Sequence, residues 1–459
     1  MSINIILNTQ LYFDLQLPKN KSTYIIQDLQ SNKENKSSLI YTYATTRYYY
    51  DFLKSNGYEN IGLVRSSFKL FVTSDKIRKK VKKINIVEPS NPDVRKEIKD
   101  ICETFDIELN FYFDIGYLSP DNFVKFFVGS NGNFNSLFKR LIPDYPEKPE
   151  DELTEYKKGE LEENIKTTNL MRYKSKNYLK DAEKKIDDLF TNLSKQKVEV
   201  IYPITHDDVK NSLYQFIKEN GKVDLYHYKP FRFKNTSAKN ESNLLTFDSG
   251  LDVPISRGFL SPSFLVKTLK SLKGDDLTLS RYLFFEEIIV EREKTRILVE
   301  HKPKKYRLSS NRKINNNLKL GNTDIEPYDD AIKLLRKTGY INKEVLHKII
   351  INFMLLCEIK LSDIYEWLKS INADILSAKE YITNSKFYGS DYIIQNTNYG
   401  YKFNGRETLD ILYDRFVYVN REIFRYSERK KVNHLLKNEK ERIKNIEYVD
   451  KYIDRYINS

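Results

Sequence analysis

Hydrophobic and polar positions follow two different rhythms along the chain. In the first part, short β-branched runs appear at Ile3–Leu7, Thr23–Gln27, Asn60–Val64, Lys69–Thr73, Ile84–Val87 and Ile107–Phe111. Such runs, bounded by polar clusters, predict strands. Amphipathic stretches such as Tyr41–Asn56 lie between them. The segment Asn91–Phe105 opens with Asn91 as cap and Pro92 at the first helical position, then places Val94, Ile98, Ile101 and Cys102 at helical spacing. Strands alternating with helices predict an α/β domain with a largely parallel sheet.

The composition then changes. Pro143–Asn164 carries nine acidic residues, three basic ones and three prolines, which predicts an exposed linker. Beyond it helical patterns dominate, at Asp207–Asn220, Ser263–Lys273, Leu277–Lys294, Asp329–Lys337, Lys343–Cys357, Leu361–Ser370 and Arg406–Ile423. Ser261 and Pro262 form a helix start, with serine as cap and proline at the first turn. No repeat with a period of about 20–50 residues is present. The expected organisation is an α/β domain over 1–142, an acidic linker with connecting helices over 143–200, and a mostly helical domain over 201–459.

Charge sharpens this picture only partly. The chain has 459 residues, with 77 Lys plus Arg against 64 Asp plus Glu, a formal net charge of +13. That surplus fits a polyanionic partner, but a Lys- and Asn-rich composition also follows from an AT-rich genome. The longest apolar stretch, Ile349–Cys357, is interrupted by Asn352 and falls well short of the roughly 18 residues that span a membrane. The start MSINIILNTQ shows neither a basic region nor a cleavage site of a secretory leader. With Cys102 and Cys357 as the only cysteines, no disulfide framework, Cys-rich zinc site or four-cysteine iron–sulfur cluster can form. An intracellular, reducing compartment and two core thiols are expected, with no metal. No P-loop, Gly-x-Ser-x-Gly, His-Glu-x-x-His or zinc-finger spacing occurs.

Among single residues, Trp367 reads as a core anchor beside Ile364 and Leu368, and His206 as a solvated residue at a helix start. Two basic runs differ in character. Asp75–Lys83 (DKIRKKVKK) holds six cations in nine residues and reads as a solvated face. In Lys302–Lys313, cations mix with an aromatic in a loop-like setting, which suits phosphate contacts plus base stacking. Lys302, Lys304, Lys305, Tyr306, Arg307, Arg312 and Lys313 are its candidate nucleic-acid-binding residues.

At FDSGLDVPISRGFLSP (Phe247–Pro262) the chain resembles the flavin-cradling stretch of the cryptochrome/photolyase family, in particular its bacterial photolyase-related subgroup. Phe247, Ser249, Leu251, Gly258, Leu260, Ser261 and Pro262 match that pattern without gaps. Thr338, Gly339, Tyr340, Asn352, Phe353 and Trp367 match a second stretch of the family. Weaker matches follow in order, from Leu7–Leu11 to Asn404–Phe424, so the resemblance spans nearly the whole chain. It implies a Rossmann-like antenna domain and an all-α domain holding FAD. It also implies repair of a pyrimidine dimer flipped out of DNA, driven by light-excited reduced flavin. Under it the cofactor contacts fall on Ser249, Leu251, Ser256, Arg257, Gly258, Tyr340 and Asn342, and the catalytic positions on Asn342 and Arg281.

The departures fall where that chemistry resides. The stretch after Tyr340 reads Ile341, Asn342, Lys343, Glu344 in place of the family's His-rich box, so a histidine proton donor is missing there. Asp248 and Asp252 bring negative charge to where a pyrophosphate would lie, and Arg257 is the candidate compensating cation. The subgroup's cluster cysteines have no counterparts, so no iron–sulfur cluster is expected. Three readings stay open: a divergent nucleic-acid-binding relative with a degraded flavin and lesion site, an active FAD-dependent photolyase or blue-light receptor with a rebuilt site, and a structural or packaging protein on the same fold.

Overall fold

The computed structural model describes residues 1–29, 35–118, 139, 145–149, 176–220, 251–273, 276–301, 311–341, 345–371, 387–396, 399, 402–424 and 429–458. Most of the acidic segment 143–164 lies outside them. The chain divides into two compact units. One takes Met1–Gln196, Val200–Tyr228 and Ser249–Lys302; the other takes Lys197–Glu199, Lys229–Asp248 and Pro303–Ser459.

The first unit is built on a five-stranded sheet: β1 (Ser2–Leu7), β2 (Ser22–Ile26), β3 (Ile61–Val64), β4 (Lys83–Val87) and β5 (Glu108–Tyr112). Every pairing is parallel and the order is β3-β2-β1-β4-β5. The order reverses between β1 and β4, the switch point where open α/β sheets usually leave a crevice. A polar ladder crosses the sheet's buried middle. Asn110 Nδ2 donates to Asn85 Oδ1 (3.2 Å), Asn85 Nδ2 to Asn4 Oδ1 (3.2 Å), and Asn4 Nδ2 to Thr23 Oγ1 (3.0 Å). A one-residue slip of any strand would break these bonds and move the flanking isoleucines to the opposite face of the sheet.

Helices cover both faces of the sheet. Ile3, Ile5, Ile84 and Ile86 pack with Phe68 and Val72 of α2 (Phe68–Thr73), Ile77 of α3 (Asp75–Arg78), and Ile98 and Cys102 of α4 (Pro92–Thr104). Ile6, Ile25 and Val87 join Tyr49 and Leu53 of α1 (Lys36–Ser55) and residues of helices His206–Asn220, Pro262–Ser271 and Leu279–His301. The α4 start is as expected, with Asn91 Oδ1 accepting from Asp93 N at 3.0 Å. The strand expected at Lys69–Thr73 is instead helix α2. Ser67 Oγ caps it by accepting from Leu70 N (3.3 Å), and a local cap outweighs β-propensity in so short a segment.

The second unit is helical among its described residues. Its core gathers Tyr328, Phe353, Leu356, Trp367, Leu412 and Phe416. The helix expected over Lys343–Cys357 appears as a π-helical stretch, Leu346–Ile351, running into helix Asn352–Leu356. Both cysteines are buried free thiols, and no described helix is long and apolar enough to cross a membrane.

Candidate functional site

The turn Leu251–Ser261 follows from its own residues. After the short helix Asp252–Ser256, Gly258 takes φ +87°. A Cβ there would meet Tyr12 Cε1 at 2.8 Å and Leu11 N at 3.0 Å, so both the dihedral and the close approach demand glycine. Leu11 N donates to Arg257 O at 2.9 Å, joining this turn to the loop after β1. Leu251 is fully buried, and Ser256 Oγ donates to Val253 O at 2.8 Å. Ser261 Oγ accepts from Phe264 N (3.3 Å) with Pro262 in the first turn, the cap that the sequence predicts.

Arg257 is 2% exposed. Its Nη1 donates to Asn8 O (3.1 Å) and its Nη2 to Thr42 Oγ1 (3.0 Å), with the guanidinium 5.7 Å from the Tyr41 ring centre. Burial pulls its pKa down to about 10, so it stays a cation at neutral pH. Arg281 is buried as well. Its Nη2 donates to Ile217 O (3.1 Å), in the last turn of helix His206–Asn220, and its Nη1 to Asp276 O, just ahead of helix Leu279–His301. Burial lowers its pKa.

Around the same loop lies a histidine that sequence reasoning placed in solvent. His206 is 1% exposed, and Phe13, Tyr48, Tyr49, Phe52 and Phe259 surround its ring at centroid distances of 4.6–6.0 Å. Nε2 lies 2.9 Å from Leu11 O, so it carries the proton and donates. Nδ1 accepts from Tyr48 Oη at 2.8 Å. Desolvation pushes the imidazole pKa down to about 4, so the ring is neutral. The available hint was the aromatic spacing Tyr48, Tyr49, Phe52 on α1, which cannot name its partner.

The second unit holds Tyr340, Arg312 and Lys313. Gly339, at φ +73°, closes helix Glu326–Thr338 by donating to Leu335 O (2.8 Å), and Tyr340 follows it, buried, with its N–H on Thr338 Oγ1 (3.3 Å). Buried Asn352 forms a reciprocal pair with Tyr388: Nδ2 donates to Tyr388 O (2.9 Å), and Tyr388 N donates to Oδ1 (3.1 Å). Arg312 pairs with Glu358 Oε2 at 3.5 Å, beside Arg415, whose Nη1 is 2.8 Å from Oε1. Lys313 is exposed. Ser249, Asn342, Lys302, Lys304, Lys305, Tyr306 and Arg307 lie outside the described residues. The described candidates therefore fall in both units: Leu251, Ser256, Arg257, Gly258 and Arg281 in the first, Tyr340, Arg312 and Lys313 in the second.

No protein-family model and no curated protein matches the chain. Solved structures do. A bacterial class III photolyase from Agrobacterium tumefaciens aligns with a TM-score of 0.50 at 14% identity, covering 84% of this chain and 80% of its own. A cryptochrome from Synechocystis aligns with a TM-score of 0.53 at 12% identity, covering 86% of each chain. The chain has the photolyase/cryptochrome-family fold: an α/β N-terminal part and a helical C-terminal part. At these identities the likeness speaks for the fold alone.

Proposed function

We propose that this protein is a divergent photolyase/cryptochrome-like protein that binds nucleic acid and whose flavin and lesion site is degraded, with repair activity lost or altered. One observation carries the reading. The cation best placed in sequence to balance a pyrophosphate, Arg257, is buried with both terminal nitrogens bonded to Asn8 and Thr42. Its neighbour Gly258 faces Tyr12 at a distance that leaves no room for even a methyl group. Arg281 likewise serves main-chain carbonyls. The polar groups described on the Phe247–Pro262 stretch, those of Ser256, Arg257 and Ser261, bond within the first unit, which argues against FAD on that stretch. The nucleic-acid part of the reading rests on the net charge of +13 and on the fold.

The test is an absorbance spectrum of the purified full chain, with released cofactor read by fluorescence after denaturation. The expected protein is colourless and is not reconstituted by added FAD. A flavin band near one equivalent, or light-dependent repair of a pyrimidine dimer, overturns the reading and favours an active photolyase.

A further inference from the structure

The basic run Asp75–Lys83 forms a fixed structure at the N-terminal edge of the sheet. It makes one turn of α3 and a tight reversal into β4, with Lys80 N donating to Ile77 O (3.0 Å) and Val81 N to Ile77 O (2.9 Å). Lys82 N then donates to Met1 O (2.9 Å), which ties the reversal to β1. Ile77 and Val81 point inward, at 6% and 1% exposure, while Lys76, Lys79, Lys80 and Lys82 are exposed. The nearest acids are already engaged: Asp75 with Arg78 at 3.5 Å and Glu108 with Lys83 at 2.5 Å. The end of α4 adds Glu103 and the turn before β5 adds Asp106, so four lysines face two further acids along this edge.

We infer that this edge is a contact surface for the phosphate backbone of duplex nucleic acid, an inference that rests on the nucleic-acid reading above. Lysines are point charges that hold phosphates without reading bases, and a rigid main chain holds their positions before the partner arrives. The run presents no aromatic side chain for stacking, as binding of single strands calls for. It also exposes no apolar anchor, as an interfacial membrane site would, because Ile77 and Val81 are turned into the core.

The experiment measures binding of the full chain to a labelled duplex of about 20 base pairs by anisotropy, between about 50 and 200 mM salt. The variant Lys76→Glu/Lys79→Glu/Lys80→Glu/Lys82→Glu is compared with the same four positions changed to Arg. At the low-salt end the Glu variant is expected to bind at least about tenfold more weakly, and the slope of log K against log salt to flatten by about three. The Arg variant should keep both, and equal melting temperatures show that all three chains fold alike. A wild type that binds while the Glu variant keeps its affinity and slope overturns this inference and leaves the nucleic-acid reading standing. A wild type that binds no duplex at any salt overturns both. Sedimentation with phosphatidylserine-containing vesicles, but no duplex binding, assigns the edge to lipid headgroups instead.

Discussion

The two edges of the sheet in the first unit use polarity in opposite ways. At the C-terminal edge, where open α/β sheets bind ligands, the chain's own side chains hydrogen-bond to the strand ends and the loops that follow them. Gln10 Oε1 accepts from Leu7 N (3.3 Å) and Gln10 Nε2 donates to Val87 O (2.8 Å), bridging the ends of β1 and β4. Arg257 covers Asn8, His206 holds Leu11 O, and Tyr12 Oη donates to buried Asp114 at 2.6 Å. Desolvation raises the carboxyl pKa of Asp114. At the N-terminal edge, cations stand in solvent on a rigid turn. The difference teaches that residue type alone does not mark a ligand site: buried polar groups bonded to the main chain hold the fold, while exposed ones with no partner remain available.

This contrast can be broken most sharply at Gly258. Gly258→Val adds a Cβ against the Tyr12 ring and Leu11 N at a positive φ that β-branched residues avoid. Strain and overpacking together predict a loss of about 4 kcal/mol in denaturant unfolding. An unchanged stability would mean that the turn is free of the β1 loop.

Next comes pH. His206 is held neutral in the folded chain with a pKa near 4, against an ordinary value of 6.5. The unfolded chain takes up a proton first, so the stability tied to His206 is complete above pH 6.5 and is lost as pH falls towards 4. The loss reaches about 3 kcal/mol. It should appear as a steeper fall in unfolding free energy for the wild type than for His206→Asn across that window. Equal pH profiles would place the imidazole in water.

The smallest effect is expected from Arg257→Ala, about 2 kcal/mol, because two hydrogen bonds to a charged group are lost while the desolvation of that charge is relieved. If Arg257 instead holds an anion, stability would barely change and anion binding would disappear.

Much of the local structure was legible in the sequence. Five of the six β-branched runs became strands, and the starts at Asn91–Pro92 and Ser261–Pro262 are capped as predicted. These features depend on neighbours within a few residues. The sixth run, Lys69–Thr73, misled because its alternation was weaker than the cap that Ser67 supplies. His206 and Arg312 misled for another reason. Read locally, a histidine before two aspartates looks solvated and an arginine in a basic loop looks free. The cage around His206 comes from α1 and from Phe259, and Glu358, the partner of Arg312, lies 46 residues further along the chain.

By itself, then, the sequence determined most of the strands, the capped helix starts, which faces are apolar, and that a parallel α/β part precedes a helical one. Periodicity and capping act over a few residues, so they can be read from the chain alone. Only the tertiary structure decided which polar side chains are used up. Arg257 meets the oxygen of Asn8 across 249 residues of sequence, and Tyr12 meets Asp114 across 102. Desolvation and hydrogen bonding act on groups that folding brings together, and the order of residues does not carry that proximity.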